Sequence, residues 1–311
     1  MGRLEFGLGL FIGSLSLGWW LGRRGVLTET RANRLIHTVT VRLSPVVVGL
    51  SFWRLEFSGW APWLVPLAGV ALALSTLLPA WWYARLARLN DPQTGSFLTC
   101  AVFSNVGFLG ALVAFAVAGE AGYGMSTLFL LLFSPCFYAV GFALARRFGR
   151  VSHERSSGAW YTDELRLYPL AGLAVGVALS LAHVPRPAVC EWLNQALIPV
   201  VTALMLISLG SHIRVVPLSR QEQQAAAVMC AIKFWYTPLV GWGLVRLLGL
   251  TGLSRFTVEL QSAMPVAVSP LMLPMMFGLN RRMTNALWVV TNTAALAWLW
   301  IYLPLIRHGL P

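Results

Sequence analysis

Long apolar runs, broken by short clusters of arginine, proline and glycine, dominate this chain. Each run is close to the roughly 20 residues an α-helix needs to cross the hydrocarbon of a bilayer. They predict helices at Leu4–Leu21, His37–Trp53, Trp63–Tyr83, Phe97–Ala118 and Met125–Leu144. A second set follows at Leu167–Val184, Trp192–Ile213, Ala225–Leu248, Val258–Phe277 and Met283–Ile306. The alternating pattern of a membrane barrel is absent, and helices satisfy their own backbone groups in lipid. The pattern predicts an all-α integral membrane protein with ten transmembrane helices. Only Arg3, offset by Glu5, precedes the first run, while Arg23 and Arg24 follow it. A cleaved signal carries its positive charge first, so this run reads as a retained span.

The longest polar stretch, Gly149–Arg166, divides the predicted spans into five and five. It sets the expected organisation as a first repeat at 1–149, a cytoplasmic loop at 150–166 and a second repeat at 167–311. An odd number of spans per half forces the halves into opposite orientations, as in inverted-repeat transporters. Weak internal similarity agrees. Gly9-x-x-x-Gly13 in the first span matches Gly172-x-x-x-Gly176 in the sixth. Ser44-Pro-Val-Val in the second matches Ile198-Pro-Val-Val in the seventh. Small-residue ridges of this kind let helices approach closely, either within one chain or across a homodimer.

Composition narrows the class further. Hydrophobic residues make up 57% and charged residues 11%, and yet the net charge is +12. The arginines form no dense block with interleaved aromatics, so no nucleic-acid partner is expected. They sort by loop instead. With ten spans, 15 fall on one side of the membrane and 6 on the other. The richer side is cytoplasmic by the positive-inside rule, which puts both termini outside, in the periplasm if the membrane is a bacterial inner membrane. Cys100, Cys136, Cys190 and Cys230 show no metal-binding spacing and read as small apolar side chains.

Two predicted spans look broken. The fourth carries Phe103-Ser-Asn-Val-Gly-Phe-Leu-Gly110, with an amide at Asn105 and glycines at 107 and 110. The ninth carries Gln261-Ser-Ala-Met-Pro-Val-Ala-Val-Ser-Pro270. Glycine loosens a helix, and proline removes a donor and clashes with the preceding turn. Interrupted helices at matching places in two halves point to a substrate site. The hinge residues expected are Gly107, Gly110, Pro265 and Pro270.

These runs resemble the auxin efflux carrier family of permeases. Ser-Asn-Val-Gly-Phe-Leu-Gly is similar to that family's helix-4 motif and Ser-Ala-Met-Pro-Val-Ala to its helix 9. Ile198-Pro-Val…Leu206-Ile-Ser-Leu-Gly210 is similar to its helix 7. The resemblance implies two inverted five-helix repeats, with helices 4 and 9 crossing at the site. It implies a scaffold of helices 1, 2, 6 and 7, against which helices 3–5 and 8–10 move as a transport unit. It implies cargo such as malate, malonate or an auxin-like acid. One departure stands out: the family's common Gly-x-Pro after the helix-4 motif is here Gly110-Ala111-Leu112.

Lys233 is the only lysine beside 22 arginines. It lies eight residues past Ala225, about 12 Å into the eighth span. A charge at that depth by default marks function. Two roles are open: pairing with an anionic substrate, or holding carbonyls released by the broken helices. The candidate substrate-binding residues are Ser104, Asn105, Gly107, Lys233, Gln261, Ser262, Pro265 and Asn292. Thr291 and Thr293 flank Asn292 on the tenth span. Glu259 and Gln261 resemble the acid-and-amide pairs that bind sodium in bile acid/sodium symporters, although Glu259 is expected near the outer surface. His183 and His212 are expected at helix ends.

The reading is a secondary active transporter, an efflux carrier or uptake permease, for a small organic anion. It works by alternating access of elevator type. Its partners are that anion and the lipid bilayer. No cofactor or metal is expected, and H+ and Na+ are both open as coupling ions. The alternative is a sodium-coupled bile acid-type symporter. An integral-membrane enzyme is the distant alternative, since only Asp91 and Asp163 join nine glutamates and no paired-acid motif occurs.

Overall fold

The computed structural model describes residues 2–55, 57, 59–150, 164–211, 213 and 217–307. His212 and nearly all of the loop expected at 150–166 lie outside those residues. Helices run as α1 (Gly2–Arg23), α2 (Glu29–Thr38), α3 (Ser44–Arg54), α4 (Ala61–Ser75), α5 (Leu77–Leu86), α6 (Asp91–Val102) and α7 (Ala111–Phe129). Then come α8 (Phe133–Cys136), α9 (Phe142–Phe148), α10 (Glu164–Leu181), α11 (Ala188–Gly210) and α12 (Arg220–Ala231). The chain ends with α13 (Thr237–Leu247), α14 (Gly252–Ser262), α15 (Leu273–Phe277) and α16 (Arg281–Ile306). Among the described residues, six helical stretches are long and apolar enough to cross a membrane, from Glu29–Arg54 to Arg281–Ile306. Large apolar side chains such as Leu78, Trp82, Trp192, Trp235 and Leu239 are exposed, as lipid-facing residues should be. The protein is a multi-pass membrane protein.

Four helix starts, those of α2, α6, α12 and α16, carry side-chain caps. Asn90 and Gln93 form a reciprocal capping box on α6, and Ser219 and Glu222 do the same on α12. Each box satisfies two backbone donors that the first turn leaves open. Several helices are interrupted by single π turns, at Val39–Leu43, Val106–Gly110, Phe137–Gly141 and Ile232–Tyr236. Two of these precede a hydroxyl–proline pair. Ser44 Oγ donates to the carbonyl five residues back, at Val39, and Thr237 Oγ1 donates likewise to Ile232. Pro45 and Pro238 cannot donate to the turn behind them, so the helix widens, and Thr237 Oγ1 also donates to Lys233 O at 2.8 Å, a carbonyl that Pro238 leaves open.

The chain forms two compact units. Unit 1 comprises Met1–Pro62, Gly107–Leu128 and Gly158–Ile213. Two close helix pairs build it, α1 on α11 and α3 on α10. Glycine makes both possible. Gly172 and Gly176 of α10 lie directly against the backbone of Pro45 and Gly49 in α3. Gly18 and Gly22 of α1 lie against Ile207 and Ser211, at the end of α11. The ridge expected at Gly9 and Gly13 is not the one used, because a side chain there would meet nothing within 4 Å. Nine residues separate Gly9 from Gly18, which turns them to opposite faces of α1, about 180° apart. All four cysteines are free.

Unit 2 comprises Trp63–Val106, Phe129–Ser157 and Arg214–Pro311. Its core includes an aromatic cluster. Phe103 packs edge-on to Phe133 and Phe137, with ring centroids at 5.3 and 5.0 Å. Phe142 extends the cluster to Phe277.

Gly176→Ala should lower the thermal unfolding midpoint in detergent, because its new methyl meets the backbone of α3. Gly9→Ala should leave the midpoint unchanged or raise it, since alanine is the better helix former. Equal midpoints for the two variants would overturn this account of the packing.

Candidate functional site

Two helices in unit 2 stop short and their ends pair. α6 ends at Val102, and Phe103 is extended, with φ −100° and ψ 117°. α14 ends at Ser262, and the chain then runs without helix to Ser269. Ser104 and Val266 form an antiparallel bridge. The Asn105 N–H donates to Pro265 O at 2.7 Å, and the Ala267 N–H donates to Phe103 O at 2.9 Å. This is a two-residue piece of β-structure between helix ends, and it answers the demand for backbone partners where water is excluded.

The diversion of Asn105 has a consequence for α6. In a continuous helix its N–H would bond the carbonyl four residues back, which is Ala101. That carbonyl accepts instead from Lys233 Nζ at 2.5 Å. The same ammonium donates to Ser104 Oγ at 2.8 Å. Lys233 is fully buried and sits in the π turn ahead of Pro238. A cation at the end of α6 also meets the negative pole of that helix. An ammonium has three donors, and two of them are placed here.

Polar side chains of α16 complete the crossing. Asn105 Nδ2 donates to Asn292 Oδ1 at 3.0 Å. Asn292 Nδ2 donates to the carbonyls of Val266 and Trp288, at 3.0 and 2.9 Å. The Val266 N–H donates to Thr291 Oγ1 at 3.2 Å, and that hydroxyl donates to Leu287 O. Every group in this chain of bonds is buried.

A cavity of about 30 Å³ adjoins the crossing, lined by Thr76, Ser104, Thr237 and Gln261 among others. That is room for about one water molecule. The Gln261 side chain is buried, and neither its Oε1 nor its Nε2 has a partner. Buried amides are normally satisfied, which marks Gln261 as a candidate site residue.

Of the expected residues, Ser104, Asn105, Lys233, Pro265 and Asn292 are joined directly by hydrogen bonds, and Gln261 meets Ser104 at the cavity. Ser262 points elsewhere: its hydroxyl donates to Glu259 O, and its side chain packs where Gly241 leaves room. The hinge assignment needs correction. The break lies at Phe103–Asn105, ahead of the glycines, and Gly107 and Gly110 belong to the π turn Val106–Gly110. Backbone pairing opens the helix there, and the freedom of glycine is not required. Pro265 does lie in the second break, while Pro270 lies in a short 3-10 turn, Ser269–Leu271. Glu259 is buried and paired with Arg255 Nε at 3.0 Å. His183 ends α10 in a left-handed conformation, φ 52°. The sequence reading missed that Thr237-Pro238 shapes the turn presenting Lys233, although a hydroxyl–proline pair is a legible signal.

The crossed breaks, with a buried cation on one of them, define a class: membrane transporters with discontinuous helices at the binding site. Residues 11–158 and 159–302 match a family model described as membrane transport protein. The chain belongs to that family, the auxin efflux carrier type. It is similar to an uncharacterized transporter of Methanothermobacter thermautotrophicus, 26% identical over 273 residues, which cover 86% of each chain.

Thr291→Val should destabilise the protein by about 1–2 kcal/mol, since it leaves the buried Val266 N–H without an acceptor. Thr291→Ser keeps the hydroxyl and should unfold close to wild type. The comparison is read as thermal midpoints in detergent.

Proposed function

We propose that this protein is a secondary transporter for a small organic anion, a carboxylate such as malate, malonate or an auxin-like acid, working by alternating access. The observation that carries the reading is Lys233. It is buried at the crossing, has no carboxylate partner among the described residues, and keeps one donor beyond its bonds to Ala101 and Ser104. A carboxylate brought to that donor would replace water lost on burial with a charge-assisted hydrogen bond. Gln261 adds an unpaired amide able both to donate and to accept.

The proposed architecture is ten spans in two inverted five-helix repeats, 1–149 and 167–311. Its support is the pairing of elements. A two-fold that exchanges the halves turns the α1–α11 pair into the α10–α3 pair, and both are glycine contacts. It also exchanges the α6–α9 contact with the α14–α16 contact. In this reading unit 1 is the scaffold and unit 2 carries the site, in the manner of an elevator. Unit 1 also takes residues 107–128, the second half of the fourth predicted span. Both termini lie outside, in a cell inner membrane, with H+ or Na+ as the coupling ion and a homodimer as the assembly.

One observation favours a second reading, a sodium-coupled symporter of bile acid type. Glu259 Oε2 is buried without a partner, as are both polar atoms of Gln261. Replacing sodium by choline in the uptake buffer separates the two. With a bile salt as the cargo, the second reading predicts uptake that is lost in choline, and the first predicts no bile salt uptake in either buffer.

Lys233→Gln keeps a donor for Ala101 O but removes the charge. In proteoliposomes it should cut dicarboxylate uptake by about 100-fold or more, the loss of roughly 3 kcal/mol of charge-assisted bonding. The variant should still elute as a monodisperse species, and wild-type uptake would sink the role given to Lys233. Asn105→Ala should weaken substrate binding about 10-fold, the ~1.4 kcal/mol of one hydrogen bond, measured by scintillation proximity.

A further inference from the structure

Unit 1 holds a second polar centre, which the reading of the crossing does not use. α7 is kinked at Ala118 and Gly119, where Gly119 has φ 61° and ψ −150°. The helix restarts at Glu120, and the kink turns this carboxylate inward, where its side chain is 4% exposed. Its Oε2 accepts from Arg186 Nη2 at 2.6 Å and from Asn194 Nδ2 at 3.0 Å. Asn194 also donates to Ser51 Oγ. All these bonds use one oxygen. The other, Glu120 Oε1, is buried with no partner, and so are Asn194 Oδ1 and Arg186 Nε and Nη1.

Glu120 lines a cavity of about 430 Å³ together with Arg54, Glu191, Gln195, Phe6 and Phe115. That volume is in the range of small organic ligands. It is far larger than a dehydrated ion, and no cluster of three or more metal-binding side chains occurs among the described residues. The charged side chains that line it are Glu120, Glu191 and Arg54, and Arg186 pairs with Glu120 from outside the lining, leaving Oε1 without a partner. The apolar walls include two phenylalanines, whose ring faces attract cations.

We infer that this cavity binds a small organic ammonium compound, with the charged nitrogen directed to Glu120 and Glu191 and the apolar body against Phe6 and Phe115. The site is separate in chemistry from the anion site at the crossing. It takes the opposite charge, and its residues all belong to unit 1.

The test uses purified full-length protein in detergent, with 2-phenylethylammonium chloride as the probe at neutral pH. Binding is followed by isothermal titration and by the thermal midpoint. 2-Phenylethanol serves as the neutral control of similar shape. The expected result is saturable binding of the ammonium alone. Glu191→Gln should weaken it about 10-fold, and Arg54→Ala, which removes a like charge, should strengthen it. Glu191 and Arg54 are exposed, so both variants should fold even where Glu120→Gln, which strands Arg186, does not. Absence of saturable binding, equal binding of the alcohol, or an unchanged affinity in Glu191→Gln would each overturn the proposal.

Discussion

Everything at the crossing depends on one exchange of backbone hydrogen bonds. Asn105 gives its N–H to Pro265, and Phe103 receives one from Ala267. Inside a bilayer an unpaired amide costs several kcal/mol, so a helix can be opened there only if each released group finds a new partner. The two breaks solve this for each other, strand to strand. What the strands leave over goes to three side chains. Lys233 takes the Ala101 carbonyl, Thr291 the Val266 N–H and Asn292 the Val266 carbonyl. The polar residues that stand out in this apolar sequence are therefore, first of all, the means by which its backbone stays satisfied.

This gives the two roles open for Lys233 a common physical basis. Its ammonium closes the end of α6 and keeps a donor free at the same place. A neutral side chain could do the first, and an unanchored lysine would snorkel and fail to do the second. The π turn ahead of Pro238 is what allows both, because it re-aims the side chain inward without ending the helix.

Much of the fold was legible because hydrophobic run length and arginine placement report directly on helices in lipid. The broken segments were also legible, since Asn105 and Pro265 are costly in an apolar helix without a reason. The location of the first break was not. Glycines at 107 and 110 draw attention to themselves, but the opening is set by a partner strand 160 residues away, and no local pattern encodes that. The choice of glycine ridge for the α1–α11 contact has a similar origin. Gly9-x-x-x-Gly13 and Gly18-x-x-x-Gly22 are equivalent as patterns, and only the position of α11 distinguishes them. Glu120 escaped notice because it lies in a stretch that reads as a turn, where a carboxylate is ordinary. Its burial follows from the kink at Gly119 and from Arg186, which is remote in sequence.

The crossing has one further property. Most of the backbone groups released at its breaks are paired within the protein, and the amide of Gln261, at a cavity the size of a single water, is not. In the proposed function, recognition falls to the few atoms around that amide and the spare donor of Lys233. Small changes in the side chains that border them would alter what is admitted while leaving the scaffold of broken helices intact.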